Sequence, residues 1–287
     1  MIVTHQNYKI TQQLGKGGQG IVFKANAESS GDLVAIKLSE LSTETLIYAF
    51  MEEMRIVEHL KKSKVQNICQ VHEMKIRHSS TASGGITVMK SYDCDLFTHA
   101  IDNRRTFDPA SVQKIFRQVC NGVKSLHHAG VAHTDLKPEN VLMDIATQNV
   151  AICDFGSCVW MKKRRTNEIS GARGTNEYYA PEMIESEYCY DPFKVDSFCL
   201  GVLLFILLTG TFPYSNNDHI CDYDANELGF SPEVENLLAA LLNPDPLKRI
   251  SVSEALKHPW LSTKSKATFG SFISAIKSST LCKIKIL

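Results

Sequence analysis

His133-Thr134-Asp135-Leu136-Lys137-Pro138-Glu139-Asn140 is the most specific stretch in the chain, and the rest of the sequence is best read outward from it. Fourteen residues beyond Asn140 stands Asp154-Phe155-Gly156, and further on comes Ala180-Pro181-Glu182. Upstream, Val34-Ala35-Ile36-Lys37 ends an apolar run on a lysine. Nearer the start, Gly15-Lys16-Gly17-Gly18-Gln19-Gly20-Ile21-Val22 follows a GxGxxGxV pattern. Glycines let backbone N–H groups approach phosphates with no Cβ in the way. Taken alone, that pattern also fits a glycine-rich hairpin turn. A dinucleotide-binding turn needs a helix after it, whereas Ile21-Val22-Phe23-Lys24-Ala25 has the composition of a strand, which disfavours that alternative.

The surrounding chain supplies a strand-rich first third and a helix-rich remainder. Tyr8-Lys9-Ile10, Ile21-Val22-Phe23 and Leu33-Val34-Ala35-Ile36 are short β-type runs between polar or glycine-rich turns, with more strand near 68–74 and 86–89. Residues 43–62 carry helical periodicity: Leu46, Phe50, Val57 and Leu60 fall on one stripe, and Glu53 lies in the middle of it. A carboxylate on a buried face is costly unless paired, so Lys37 is its expected partner. Asp108 is the expected N-cap of a helix that opens on Pro109, shows Val112, Ile115, Phe116, Val119, Val123 and Leu126 on its apolar face, and stops at Gly130. Further helices are expected at 195–208, 232–242 and 251–257. The change of character near Lys90-Ser91-Tyr92 predicts two lobes with a ligand cleft at their joint.

Composition narrows the partners. Lys+Arg and Asp+Glu number 31 each, so no global field favours nucleic acid or a membrane surface. Nine cysteines, odd in number and without a CxxC pair, suggest reduced thiols in a cytoplasmic (or nuclear) protein rather than a zinc site or disulfide framework. The N-terminus has no signal-peptide pattern. The longest apolar stretch, 198–208, is too short to span a bilayer and is expected to be a core helix, so no transmembrane segment is predicted.

In this order and spacing the motifs resemble the signature set of eukaryotic-type protein kinases: glycine-rich loop, VAIK, HRD…N, DFG and APE. The resemblance spans residues 8–261 and implies an α+β bilobal protein-kinase fold, with a small β-rich N-terminal lobe (8–89), a hinge (90–93) and a larger, mainly α-helical C-terminal lobe (94–261). It implies ATP and Mg2+ as cofactors and serine or threonine hydroxyls of proteins as acceptors; the alternative is a pseudokinase-type nucleotide-binding scaffold. On that resemblance Asp135 accepts the substrate hydroxyl proton and Lys137 sits near the transferred phosphate. Lys37, positioned by Glu53, holds the α- and β-phosphates, and Asn140 and Asp154 hold the metal. The nucleotide is expected among Gly15, Gly17, Gly20, Val22, Ala35, Met89, Lys90, Tyr92, Asp95 (ribose) and Leu142. Thr175 is expected on Asp135 and Lys137, a pattern similar to serine/threonine enzymes. Asp196 is expected to anchor the catalytic loop, Arg249 to pair with Glu182, and Phe198 to replace a usual tryptophan.

The chain departs from the family at Thr134, where HRD has arginine, and at Gly171, where the loop phosphate usually sits. Activity without activation-loop phosphorylation is therefore expected, because the arginine that would bind such a phosphate is missing. The basic run 162–165 is expected to be a solvated loop. The tail past Leu261, with five lysines and no acids, is expected to pack on the large lobe. Cys153, next to Asp154, is expected to line the nucleotide cleft.

Overall fold

Antiparallel pairing organises residues 8–90. In the computed structural model, β1 (Tyr8–Gly17), β2 (Gly20–Ala27), β3 (Leu33–Glu40), β4 (Val71–His78) and β5 (Ser83–Lys90) form one sheet in the order β1-β2-β3-β5-β4. The structure describes residues 7–18, 20–78, 83–102, 107–161, 168–184, 189–215, 221–224 and 228–262. The basic run 162–165 and the tail from 263 onward lie outside the described residues. Alternation along β2, β3 and β5 buries Ala25, Val34, Ile36, Ile86 and Val88 in a small cluster of their own.

Helix α1 (Glu44–Lys62) connects β3 to β4; the Thr43 hydroxyl caps it by accepting from the Leu46 N–H. Phe50, Ile56, Val57 and Leu60 are buried, but Leu46 is 44% exposed, contrary to its expected place on the inner stripe. The reason is visible at Phe50, whose ring packs so closely on Gly85 of β5 that a Cβ there would fall 2.7 Å from it. Leu46, one turn earlier, lies beyond that first contact with the sheet.

Helices dominate the second part. α2 (Pro109–His128) begins at Asp108, whose carboxylate accepts from the N–H groups of Ala110 and Ser111, and ends where Gly130 adopts φ +77°. A three-stranded sheet, β6 (Cys94–Asp95), β8 (Val141–Asp144) and β9 (Asn149–Ile152), lies against α2, while β7 (Val131–Ala132) pairs with β10 (Val159–Trp160). α3 (Pro181–Ile184) and α4 (Pro192–Thr209) follow; α4 starts three residues before the expected 195 because Asp191 caps it through the Phe193 N–H. By length and composition α4 could cross a bilayer, but 78% of its apolar window is buried within the protein. It contacts α2 and the helix Pro232–Leu241, which accounts for its apolar character on every side. The small β-rich lobe and the larger, mainly helical lobe give the α+β, bilobal architecture that the resemblance implied.

The crossover between the lobes is fastened on both sides. The Lys90 N–H donates to the Gln70 carbonyl (2.9 Å), and its ammonium meets Asp144 Oδ2 (3.2 Å) while lying 4.5 Å from the Tyr92 ring centroid. Asp93 then donates its N–H to Met143 (3.1 Å), and its carboxylate accepts from the Ile145 N–H (2.8 Å).

Candidate active site

The catalytic loop is shaped by a single carboxylate. Asp196, fully buried in α4, accepts from the His133 N–H (2.8 Å) and the Thr134 N–H (2.8 Å) on separate oxygens, with His127 Nε2 2.7 Å from one of them. The His133 ring accepts the Asp135 N–H at Nδ1 (3.3 Å), so its Nε2 carries the proton toward the Cys153 carbonyl (3.0 Å). Thr134 adopts φ +60°, a conformation that a β-branched residue tolerates only when its surroundings impose it. Asp196 supplies one such constraint; the Thr134 hydroxyl, donating to the Ser157 carbonyl (2.7 Å), supplies the other.

That backbone presents Asp135, itself 5% exposed. Its Oδ1 accepts from the Thr175 hydroxyl (2.7 Å), and its Oδ2 accepts from Asn140 Nδ2 (3.0 Å) and lies 3.4 Å from the Lys137 ammonium. Lys137 also donates to the Thr175 hydroxyl. The expected Asp135–Lys137–Thr175 grouping is present, and Asn140 joins it. Gly174 makes the approach of Thr175 feasible: at φ +81°, a Cβ would stand 2.3 Å from the Thr134 carbonyl oxygen.

Lys37 lies in β3, where it pairs in register with Val22 of β2. Gly15 in turn faces Val22, and Gly17 faces Gly20 at the end of the β1–β2 hairpin. Gly20 is irreplaceable there, since at φ +135° a Cβ would lie 2.1 Å from the Leu38 carbonyl oxygen. The Lys37 ammonium is 3.4 Å from Asp154 Oδ1, and Asp154 is turned by φ +63°. Glu53 is not among the ion-pair partners of Lys37 within 4.0 Å, contrary to the expected contact. It stands beside Gly156, where Lys37 draws its pKa down only in part. Burial outweighs that attraction and, with the Asp154 charge adding to it, pushes the carboxyl up to about 7. Helical periodicity identified the inward face of Glu53 but not the distance between α1 and the strand.

The other residues expected around the nucleotide pair across neighbouring strands or lie at the crossover. Ala35 pairs with Met89 across β3 and β5, Lys90 and Tyr92 lie at the crossover, and Leu142 in β8 pairs with Asp95 in β6. Asp95 already accepts from the N–H (2.7 Å) and the hydroxyl (2.8 Å) of Thr98, so as a ribose ligand it would act while capping its own turn. Cys153 follows β9, and burial pushes its thiol well above the usual range, as befits a packing residue. The eight described cysteines are all free thiols.

The remaining anchors support the scaffold. Arg249, 1% exposed, grips Glu182 through two parallel bonds (2.6 and 2.9 Å), donates to the carbonyls of Asn243 and Lys194, and lies 5.0 Å from the Phe198 ring centroid. Sequence reasoning missed three contacts: His127 on Asp196, the Thr134 hydroxyl on Ser157, and the Tyr190 hydroxyl on the Gly171 carbonyl (2.6 Å). None belongs to a recurring spacing.

The side chains fit a magnesium nucleotide. Asp154 and Asn140 offer hard oxygen donors, and Mg2+ commonly takes only one or two protein ligands while keeping several waters. Cβ atoms at Gly15 and Gly17 would meet nothing within 4 Å, so the hairpin leaves open space at these two positions.

Comparison with known proteins agrees with this geometry. A family model described as "Protein kinase domain" matches residues 8–261. CBL-interacting protein kinase 26 of Oryza sativa subsp. japonica is 31% identical over 268 residues, covering 88% of this chain and 52% of that protein. Maternal embryonic leucine zipper kinase of Xenopus tropicalis is 32% identical over 265 residues (88% and 39%). CBL-interacting serine/threonine-protein kinase 15 of Arabidopsis thaliana is 32% identical over 264 residues (88% and 60%). The chain thus spans about half the length of the curated relatives it matches.

Proposed function

The chain belongs to the protein kinase family, and on that premise we propose that it transfers the γ-phosphoryl group of ATP, with Mg2+, to serine or threonine hydroxyls of protein substrates. The observation that carries this reading is the bonded group Asp135, Lys137, Asn140 and Thr175, tied through the Cys153 N–H on the Asn140 carbonyl to the segment where Asp154 meets Lys37 of the small lobe. Magnesium-bound ATP supplies the phosphoryl group.

Asp135 orients the acceptor hydroxyl and takes its proton; Thr175 and Asn140 hold its two oxygens in place for that task. Lys137 brings a positive charge to the side where negative charge develops. Lys37 would steady the phosphates, and Asp154 and Asn140 would hold the cation. Glu53, whose carboxyl feels the Lys37 charge, would be the residue that positions that lysine. Lys137 and Thr175, in the positions they occupy in serine/threonine kinases, support that acceptor class over tyrosine.

The test is incubation with labelled ATP, Mg2+ and a mixed peptide library. Label is expected on serine and threonine, and Asp135→Asn is expected to lose on the order of 10²–10⁴-fold in turnover with nucleotide affinity nearly unchanged. Label on tyrosine alone refutes the acceptor class. Nucleotide binding without any transfer by the unmodified chain leaves a scaffold instead.

A further inference from the structure

The segment carrying Thr175 needs a fastening. In many kinases a phosphate bound to the arginine before the catalytic aspartate provides it, but here that position is Thr134 and its side chain is engaged with Ser157. A different fastening is present. Ile169 and Tyr190 exchange both backbone hydrogen bonds (2.9 and 2.8 Å) as an isolated antiparallel bridge. The Tyr190 hydroxyl reaches back over the same segment to the Gly171 carbonyl at 2.6 Å. Ile169 and Tyr190 are 3% and 5% exposed, while Ser170 and Gly171 between these contacts are exposed. Gly171 takes φ +82°, which turns its carbonyl out of a regular strand course. Three residues on, Gly174 rests against the Thr134 carbonyl, and Thr175 follows on Asp135.

We propose that Tyr190 is a positioning residue that clamps segment 169–175, through its backbone bridge and its hydroxyl, so that Thr175 stays seated on the catalytic aspartate. The clamp is neutral and built into the chain, with no charge partner to supply or remove. Burial raises the phenol pKa, so the hydroxyl remains a donor at neutral pH. The role in peptide turnover rests on the proposed kinase activity; the physical clamp does not.

Tyr190→Phe in the full chain keeps the ring and removes only the hydroxyl. Amide exchange at Ile169 should speed up about three- to tenfold, the range expected when one neutral hydrogen bond is lost. kcat/KM for a serine peptide should fall by a similar factor, with Mg-ATP affinity and Tm almost unmoved. An exchange rate at Ile169 within twofold of the parent overturns the clamp, whatever the activity does. Faster exchange with unchanged peptide kcat/KM overturns its role in positioning, and so does a loss shared by nucleotide affinity and Tm. If the parent chain phosphorylates no peptide, the kinase reading fails, and the exchange measurement still decides whether Tyr190 holds the segment.

Discussion

Replacing Glu53 with glutamine should make the protein more resistant to alkali-side destabilisation while impairing its chemistry. The Glu53 carboxyl rises from its ordinary 4.5 to about 7, chiefly through burial. A raised carboxyl pKa means that the folded chain binds this proton more tightly than the unfolded chain. The associated stability is present in full below about 4.5 and is lost as pH climbs through about 7. At about 1.4 kcal/mol per pH unit, the span from 4.5 to about 7 amounts to about 3.5 kcal/mol, most of which falls between pH 5 and 8. Glutamine keeps the shape and does not titrate. Urea unfolding of both proteins at pH 5, 6, 7 and 8, without nucleotide, gives the difference in unfolding free energy at each pH. That difference should move in the variant's favour by up to about 3 kcal/mol across the series. Any constant cost of burying the amide cancels, because only the slope matters. Parallel pH curves would falsify the placement of Glu53 in a desolvated site. Peptide phosphorylation by the variant should fall, since Lys37 loses the carboxylate proposed to hold it.

Two other expectations are as direct. Arg249→Ala leaves Glu182 without its partner in a dry setting and should cost about 3–5 kcal/mol in urea denaturation; a loss below about 1 kcal/mol contradicts the buried pair. Protein stripped by a phosphatase should keep its peptide activity, because Thr134 offers no cation to a loop phosphate. A demonstrated need for phosphate on Ser170 or Thr166 counts against this.

What could be read from the chain beforehand follows a physical division. Caps and breakers act within a few residues, so Asp108, Pro109 and Gly130 marked the ends of α2 correctly. Motif residues whose partners belong to other motifs were also legible: Thr175 found Asp135 and Lys137, and Arg249 found Glu182. The strand after the glycine pattern rightly argued against a dinucleotide turn, since β2 continues directly into the sheet. Quantities set by how elements dock were not legible. Leu46 shares a stripe with Phe50, yet only Phe50 reaches Gly85. Lys37 meets Asp154 sooner than Glu53 because strand-to-helix spacing leaves no trace in periodicity. Tyr190 was invisible for another reason: its hydroxyl binds a backbone carbonyl, and any residue at 171 supplies one.

The ion pair at the crossover has a mechanical consequence. Lys90 and Asp144 are 45% and 29% exposed at their side chains, so counterions reach them. Screening shortens from about 30 Å at 0.01 M salt to about 3 Å at 1 M. The pivot about which the lobes breathe should therefore be stiffer in dilute buffer and looser in brine, with the Asp93 bonds as the salt-insensitive remainder. Energy transfer between dyes on the two lobes would register this as a distance distribution that broadens with ionic strength; a fixed width would assign the stiffness to the backbone alone.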